Sequence, residues 1–135
     1  AKKQLETDTK KRIVEQIMAD GKMPEELART KSWNYSTMNL DGFITLAELG
    51  RTAGVDLWNF SGKDGRGIRR ALEFLYPFMN ASNEWKYQQI GGMDRTRLAP
   101  LMRRAAEAYN DADFKKMMES VPPPAQNSRD QLLFY

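Results

Sequence analysis

The densest group of chemically capable side chains in this 135-residue chain is Arg29-Thr-Lys-Ser-Trp-Asn-Tyr-Ser36. It brings a cation, an indole, an amide and a phenol to a junction between a loop and a helix. Backbone N–H groups lack helical partners at such a junction and favour anions. Arg grips a carboxylate through a bidentate fork. Trp offers an apolar face, and Asn or Tyr can hydrogen-bond hydroxyls. An acidic sugar is one ligand that suits this mixture. By composition alone the same residues also serve as packing groups, with Tyr35 half-buried against the core.

The rest of the composition narrows the chemistry. The chain has no Cys and no His. That removes disulfides, thiolate nucleophiles, zinc–thiolate sites, Ser-His-Asp triads and histidine bases. Any proton transfer falls to Tyr, Lys, Asp, Glu or Arg. There are 21 basic and 18 acidic residues, a formal charge of +3. This balance does not point to nucleic acid, but it leaves room for a local basic surface that holds an anionic ligand. Hydrophobic residues make up 41% in short runs, whereas a membrane-spanning helix needs about 20 in succession. Three Trp, five Tyr and six Phe among mixed charges argue against disorder over most of the chain. The first residue is Ala1 rather than Met, as in a processed form or a piece of a longer protein.

The elements that must position the cluster are helices. Leu5, Ile13, Val14, Ile17 and Met18 form one apolar stripe over 2–20, with Gly21 as the stop. Pro24 opens a short turn. A second long helix is expected from about Asn34 to Ala53, carrying Met38, Phe43, Leu46, Ala47 and Leu49, capped by Ser32 or Asn34 and closed by Gly54. A third is expected over 66–78, with Ile68, Ala71, Leu72, Leu75 and Phe78 inward. Pro100 starts a fourth that runs to about Tyr109, and Asp111 caps a short fifth ending at Met118. No segment alternates with the period of a strand. The predicted fold class is all-α, built of antiparallel helical hairpins. Residues 1–120 form the helical unit, and 121–135 a Pro-rich turn and tail.

Other candidates have plainer readings. Asp56, Leu57 and Trp58 read as packing, and Trp85 and Tyr87 as a loop anchored on the core, although both aromatics could line a sugar cleft. Lys63, Arg66, Arg69 and Arg70, and again Arg95, Arg97, Arg103 and Arg104, read as solvated helix faces able to steer a polyanion. The acidic residues lack calcium-loop spacing, and Gly62–Gly67 lacks the phosphate-loop pattern. The motifs imply no cofactor and no metal.

Longer patterns carry a resemblance. Gly21-Lys-Met-Pro-Glu-Glu-Leu-Ala-Arg-Thr-Lys-Ser-Trp-Asn-Tyr-Ser-Thr-Met-Asn-Leu40, Gly54-Val-Asp-Leu-Trp58, Ala71-Leu-Glu-Phe-Leu-Tyr-Pro-Phe78 and Trp85-Lys-Tyr-Gln-Gln-Ile90 together resemble the alginate lyase superfamily. These are polysaccharide lyases built on an (α/α) toroid of helical hairpins. The resemblance runs from the first helix to about residue 110.

That resemblance implies β-elimination at a uronic acid within a β-1,4-linked polysaccharide, with alginate as the default substrate and glucuronan among the alternatives. It makes Tyr35 the catalytic acid and base. Arg29 becomes the cation that binds carboxylate or holds the phenol near its phenolate, and Trp33, Asn34 and Trp85 become substrate contacts. A free Tyr has a pKa of about 10, so nearby positive charge is what lets it act as a base near neutrality. A positioned proton donor or acceptor is worth about 10²–10⁴ in rate. Stabilising the enolate-like charge on the carboxylate is the larger contribution.

The departure from the family is equally informative. Its members carry an Asn-His pair on an upstream hairpin, and full-length relatives are much longer. With no His, this chain is expected to be the C-terminal part of such a toroid, with little or no activity alone. It would then self-associate or bind the missing N-terminal half through exposed apolar faces. The family implies a periplasmic or secreted location. The alternative is a non-catalytic helical module that binds carbohydrate or another polyanion. A nucleic-acid binder is disfavoured.

Overall fold

Ser32–Thr52 is the longest helix, and most of the other helices pack against it. The computed structural model describes residues 2–122. Within them the order is α1 (Lys2–Gln16), α2 (Pro24–Leu27), α3 (Ser32–Thr52), α4 (Ile68–Leu75), a 3₁₀ turn (Tyr76–Met79), a second 3₁₀ turn (Arg95–Leu98), α5 (Ala99–Ala108) and α6 (Ala112–Met118). The fold is all-helical among the described residues, as the periodicity predicts. The expected tail, 121–135, lies outside the described residues from 123 onward.

The buried side of α3 carries Trp33, Ser36, Thr37, Leu40, Phe43, Ile44, Ala47 and Gly50. These recur at three- and four-residue intervals, the spacing of one helical face. The helices α1, α2, α4 and α5 all pack on α3. Met38 and Leu49, expected among its apolar positions, point outward instead at 55% and 58% exposure. They fall on the arc opposite the core face, so spacing rather than hydrophobicity decides which residues are inward.

The first helix ends earlier than expected, at Gln16, although Ile13 and Ile17 are both fully buried. Tight turns at Met18–Lys22 follow, and Gly21 adopts φ +89°. A Cβ there would come within 2.1 Å of the Arg70 carbonyl oxygen, so glycine allows the chain to press against α4.

The third predicted helix also stops short. Ile68, Ala71, Leu72 and Leu75 are buried as expected, but Pro77 has no N–H for the Glu73 carbonyl, and the α-helix gives way to a 3₁₀ turn. Phe78 is consequently only half-buried. The last two helices match expectation. Pro100 sits in the first turn of α5, and the Asp111 carboxylate accepts the Phe114 N–H at 2.8 Å.

Candidate active site

The segment that carries Trp33, Asn34 and Tyr35 is held from a distance in sequence. An isolated antiparallel bridge joins Lys31 to Gln89. Ser32 N donates to Gln88 O at 3.0 Å, and Ile90 N donates to Thr30 O at 2.9 Å. The 30–32 strip is thereby fixed against 88–90 just where α3 starts.

The expected side-chain cap is not Ser32 or Asn34. Lys31 takes the cap position without a side-chain bond, and Ser32 lies inside the helix. The Ser32 hydroxyl is fully buried; it donates to the Gln88 carbonyl and accepts from Trp85 Nε1 at 2.9 Å. The orphan N–H of Trp33 is satisfied instead by Gln89 Oε1 at 3.0 Å. A helix start needs acceptors for its first N–H groups, and here a distant amide supplies one. Gln89 is a positioning residue that local reasoning missed; its only trace was the family-like run 85–90.

Gln89 also orients Asn34. Because its Oε1 faces the Trp33 N–H, its Nε2 donates to Asn34 Oδ1, at 3.2 Å. This network leaves the Asn34 amide with its N–H donors turned away from Gln89.

Tyr35 sits half-buried in the first turn of α3. Arg29 follows α2, where its N–H bonds to Glu26 O at 3.1 Å. Its exposed guanidinium lies over the Tyr35 ring, Cζ at 3.9 Å from the ring centroid. Cation and aromatic face attract through the ring quadrupole. A stacked guanidinium presents its face to the ring and its N–H groups at the edge, where a carboxylate can still be forked.

Of the five residues predicted for the site, Arg29, Asn34 and Tyr35 come together at one accessible end of α3. The other two, Trp33 and Trp85, are turned into the core. Trp33 is completely buried and donates its indole N–H to the Asp94 carbonyl at 2.8 Å. Trp85 is 9% exposed and packed edge-on against Trp33 at 5.2 Å and Phe78 at 5.1 Å. Neither indole offers a free face. Both rings belong to the one hydrophobic core, and Trp85 ties the stretch without helix to it.

The alginate lyase family model matches residues 1–85. The chain belongs to that family. Its structure is similar to the crystal structure of an alginate lyase from Bacteroides ovatus, with a TM-score of 0.85 and 33% sequence identity. The match covers 98% of this chain but 36% of that one, so the chain spans little more than a third of that lyase's length. No curated protein matches the chain. Family membership accounts for the all-α hairpin architecture, and it places the Arg29–Tyr35 pair within a lyase family.

Proposed function

We propose that this chain carries the tyrosine part of a polysaccharide lyase active site acting on β-1,4-linked uronate, with alginate the first substrate to consider. The observation that carries this reading is the Arg29 guanidinium stacked 3.9 Å from the Tyr35 ring centroid in a chain of the alginate lyase family.

In the proposed reaction the edge of Arg29 and the amide donors of Asn34 hold the sugar carboxylate. Their charge and dipoles oppose the negative charge that builds as C5 loses its proton. Tyr35 takes that proton. The electron pair forms the C4–C5 double bond, the C4–O4 bond breaks, and the same phenol returns the proton to the departing O4. Tyr35 therefore ends the cycle in the form in which it began, and no redox partner is needed.

A carboxylate held by Arg29 lies beside Tyr35, which is the proximity this mechanism requires. A second segment of a longer lyase, bearing the family's Asn-His pair, would complete the site. The share of the Bacteroides ovatus lyase that this chain spans, 36%, supports that reading.

The test is the ultraviolet absorbance of the new double bond. The chain is incubated with alginate, polymannuronate, polyguluronate and glucuronan, alone and with the remaining part of a family member supplied. The expected result is rising absorbance on at least one polymer, reduced at least 10²-fold in Tyr35→Phe. Silence on all four in both settings refutes the proposal. A Tyr35→Phe variant as active as the parent refutes the assignment of Tyr35.

A further inference from the structure

Most arginines of the two basic runs are already held by other groups of the chain. Arg66 is held by Asp64, Arg69 by Asp111 and Glu73, Arg70 by Glu73, and Arg104 by Asp41 and Glu48. Arg95 donates to the carbonyls of Phe78, Asn80 and Asn83. The basic runs expected to steer a polyanion are largely structural.

Arg97 differs. It is exposed, and among the described residues no carboxylate pairs with it. It is nevertheless anchored, because its Nε donates to Thr37 Oγ1 at 3.1 Å. Thr37 is 2% exposed, and its hydroxyl proton is directed to the Trp33 and Asn34 carbonyls, both at 3.0 Å. A lone pair of Oγ1 therefore faces the guanidinium. Anchoring through Nε leaves the two terminal NH₂ groups, which fork a carboxylate end-on.

Thr37 stands two positions after Tyr35 on α3. At 3.6 residues per turn the two lie about 160° apart around the helix axis. The shorter way round passes over half-buried Asn34 and exposed Met38. Arg29 on Tyr35 and Arg97 on Thr37 thus flank one open helix face, with the oriented Asn34 amide between them.

We propose that Arg97 is a second carboxylate-binding residue, taking a uronate further along the same polysaccharide from the one gripped by Arg29. The proposal rests on the uronate reading above. A helix with its side chains is about 10–12 Å across, so a single sugar ring cannot reach both cations. Binding energy from Arg97 is therefore available only to an oligomer, and the site discriminates by chain length.

The test titrates the chain with mannuronate and with a mannuronate tetramer, by NMR and calorimetry. Arg97→Gln is expected to weaken tetramer binding about tenfold, the value of one charge-assisted pair, and to leave the monosaccharide unchanged. Thr37→Val keeps the charge but removes the anchor, and gives part of the same loss. Arg12→Gln removes an equal charge from α1 and has no effect at either length.

If the parent binds the tetramer and Arg29→Gln weakens it while Arg97→Gln stays within twofold, the Arg97 assignment falls and the uronate reading stands. If Arg12→Gln costs as much as Arg97→Gln, the attraction is diffuse and the assignment also falls. If the parent binds neither sugar, or Arg29→Gln changes nothing, the uronate reading fails and takes Arg97 with it. Unchanged thermal melts of the variants separate binding from folding.

Discussion

Ser32 and Ser36 lie one turn apart on α3, both fully buried, yet they are bonded in opposite ways. The Ser32 hydroxyl donates to Gln88 O and accepts from Trp85 Nε1, whereas Ser36 Oγ has no partner among the described residues. Replacing each by Ala removes the same oxygen from the same helix. Ser32→Ala strands the buried Trp85 N–H, at about 1–3 kcal/mol, and loses the bond to Gln88, at about 1 kcal/mol. Gln88 O keeps the Ser32 N–H, so it adds no further penalty. The expected loss is about 2–4 kcal/mol. Ser36→Ala deletes a hydroxyl that gains nothing from burial and adds a better helix former. Its expected effect is neutral, or stabilising by up to about 1 kcal/mol. Urea unfolding followed by tryptophan fluorescence measures both, and the two midpoints should differ by about 1–2 M. Equal destabilisation by the two substitutions, or a larger loss from Ser36→Ala, would refute the hydrogen-bond assignment that fixes the start of α3.

Two further outcomes follow from the packing. Gly21→Ala combines φ +89° with a Cβ 2.1 Å from Arg70 O and should cost about 3 kcal/mol or more, lowering the thermal midpoint by roughly 10 °C or more; a shift under about 2 °C would contradict this close approach. Tyr109 is buried and donates its hydroxyl to the Trp58 carbonyl, and burial pushes the phenol's pKa above its ordinary value of 10.0. A folded-state pKa raised above the unfolded one gives stability that is complete below about pH 10 and lost as the pH rises beyond it. Thermal midpoints should therefore hold from pH 7 to 9 and fall above 10, with a shallower fall in Tyr109→Phe; identical alkaline profiles would exclude Tyr109 as the source.

The parts of the molecule that were legible in the sequence are those governed by local rules. Ile68, Ala71, Leu72 and Leu75 announced α4 by spacing, Pro24 and Pro100 marked helix starts, and Asp111 capped α6. Arg29, Asn34 and Tyr35 were recognisable because a short motif holds them close in the chain. Trp33 was expected among substrate contacts, and Trp85 was read both as a core anchor and as a cleft residue, because an aromatic beside polar neighbours looks alike whether it faces solvent or another ring. Only the contact between 30–32 and 88–90 shows that both indoles turn inward.

What the sequence by itself determined is therefore the helical class, most helix starts, the absence of histidine and thiol chemistry, and the family motif around Tyr35. Each depends on residue type, or on neighbours within about two helical turns, and is set before the chain folds. The tertiary structure alone decided which aromatics are core, that Gln89 rather than a local side chain caps α3, and that Arg97 is anchored on Thr37. Those outcomes depend on partners some 50–60 positions apart. Helical periodicity carries no information about such pairs, because it describes which way a side chain points and not what it meets.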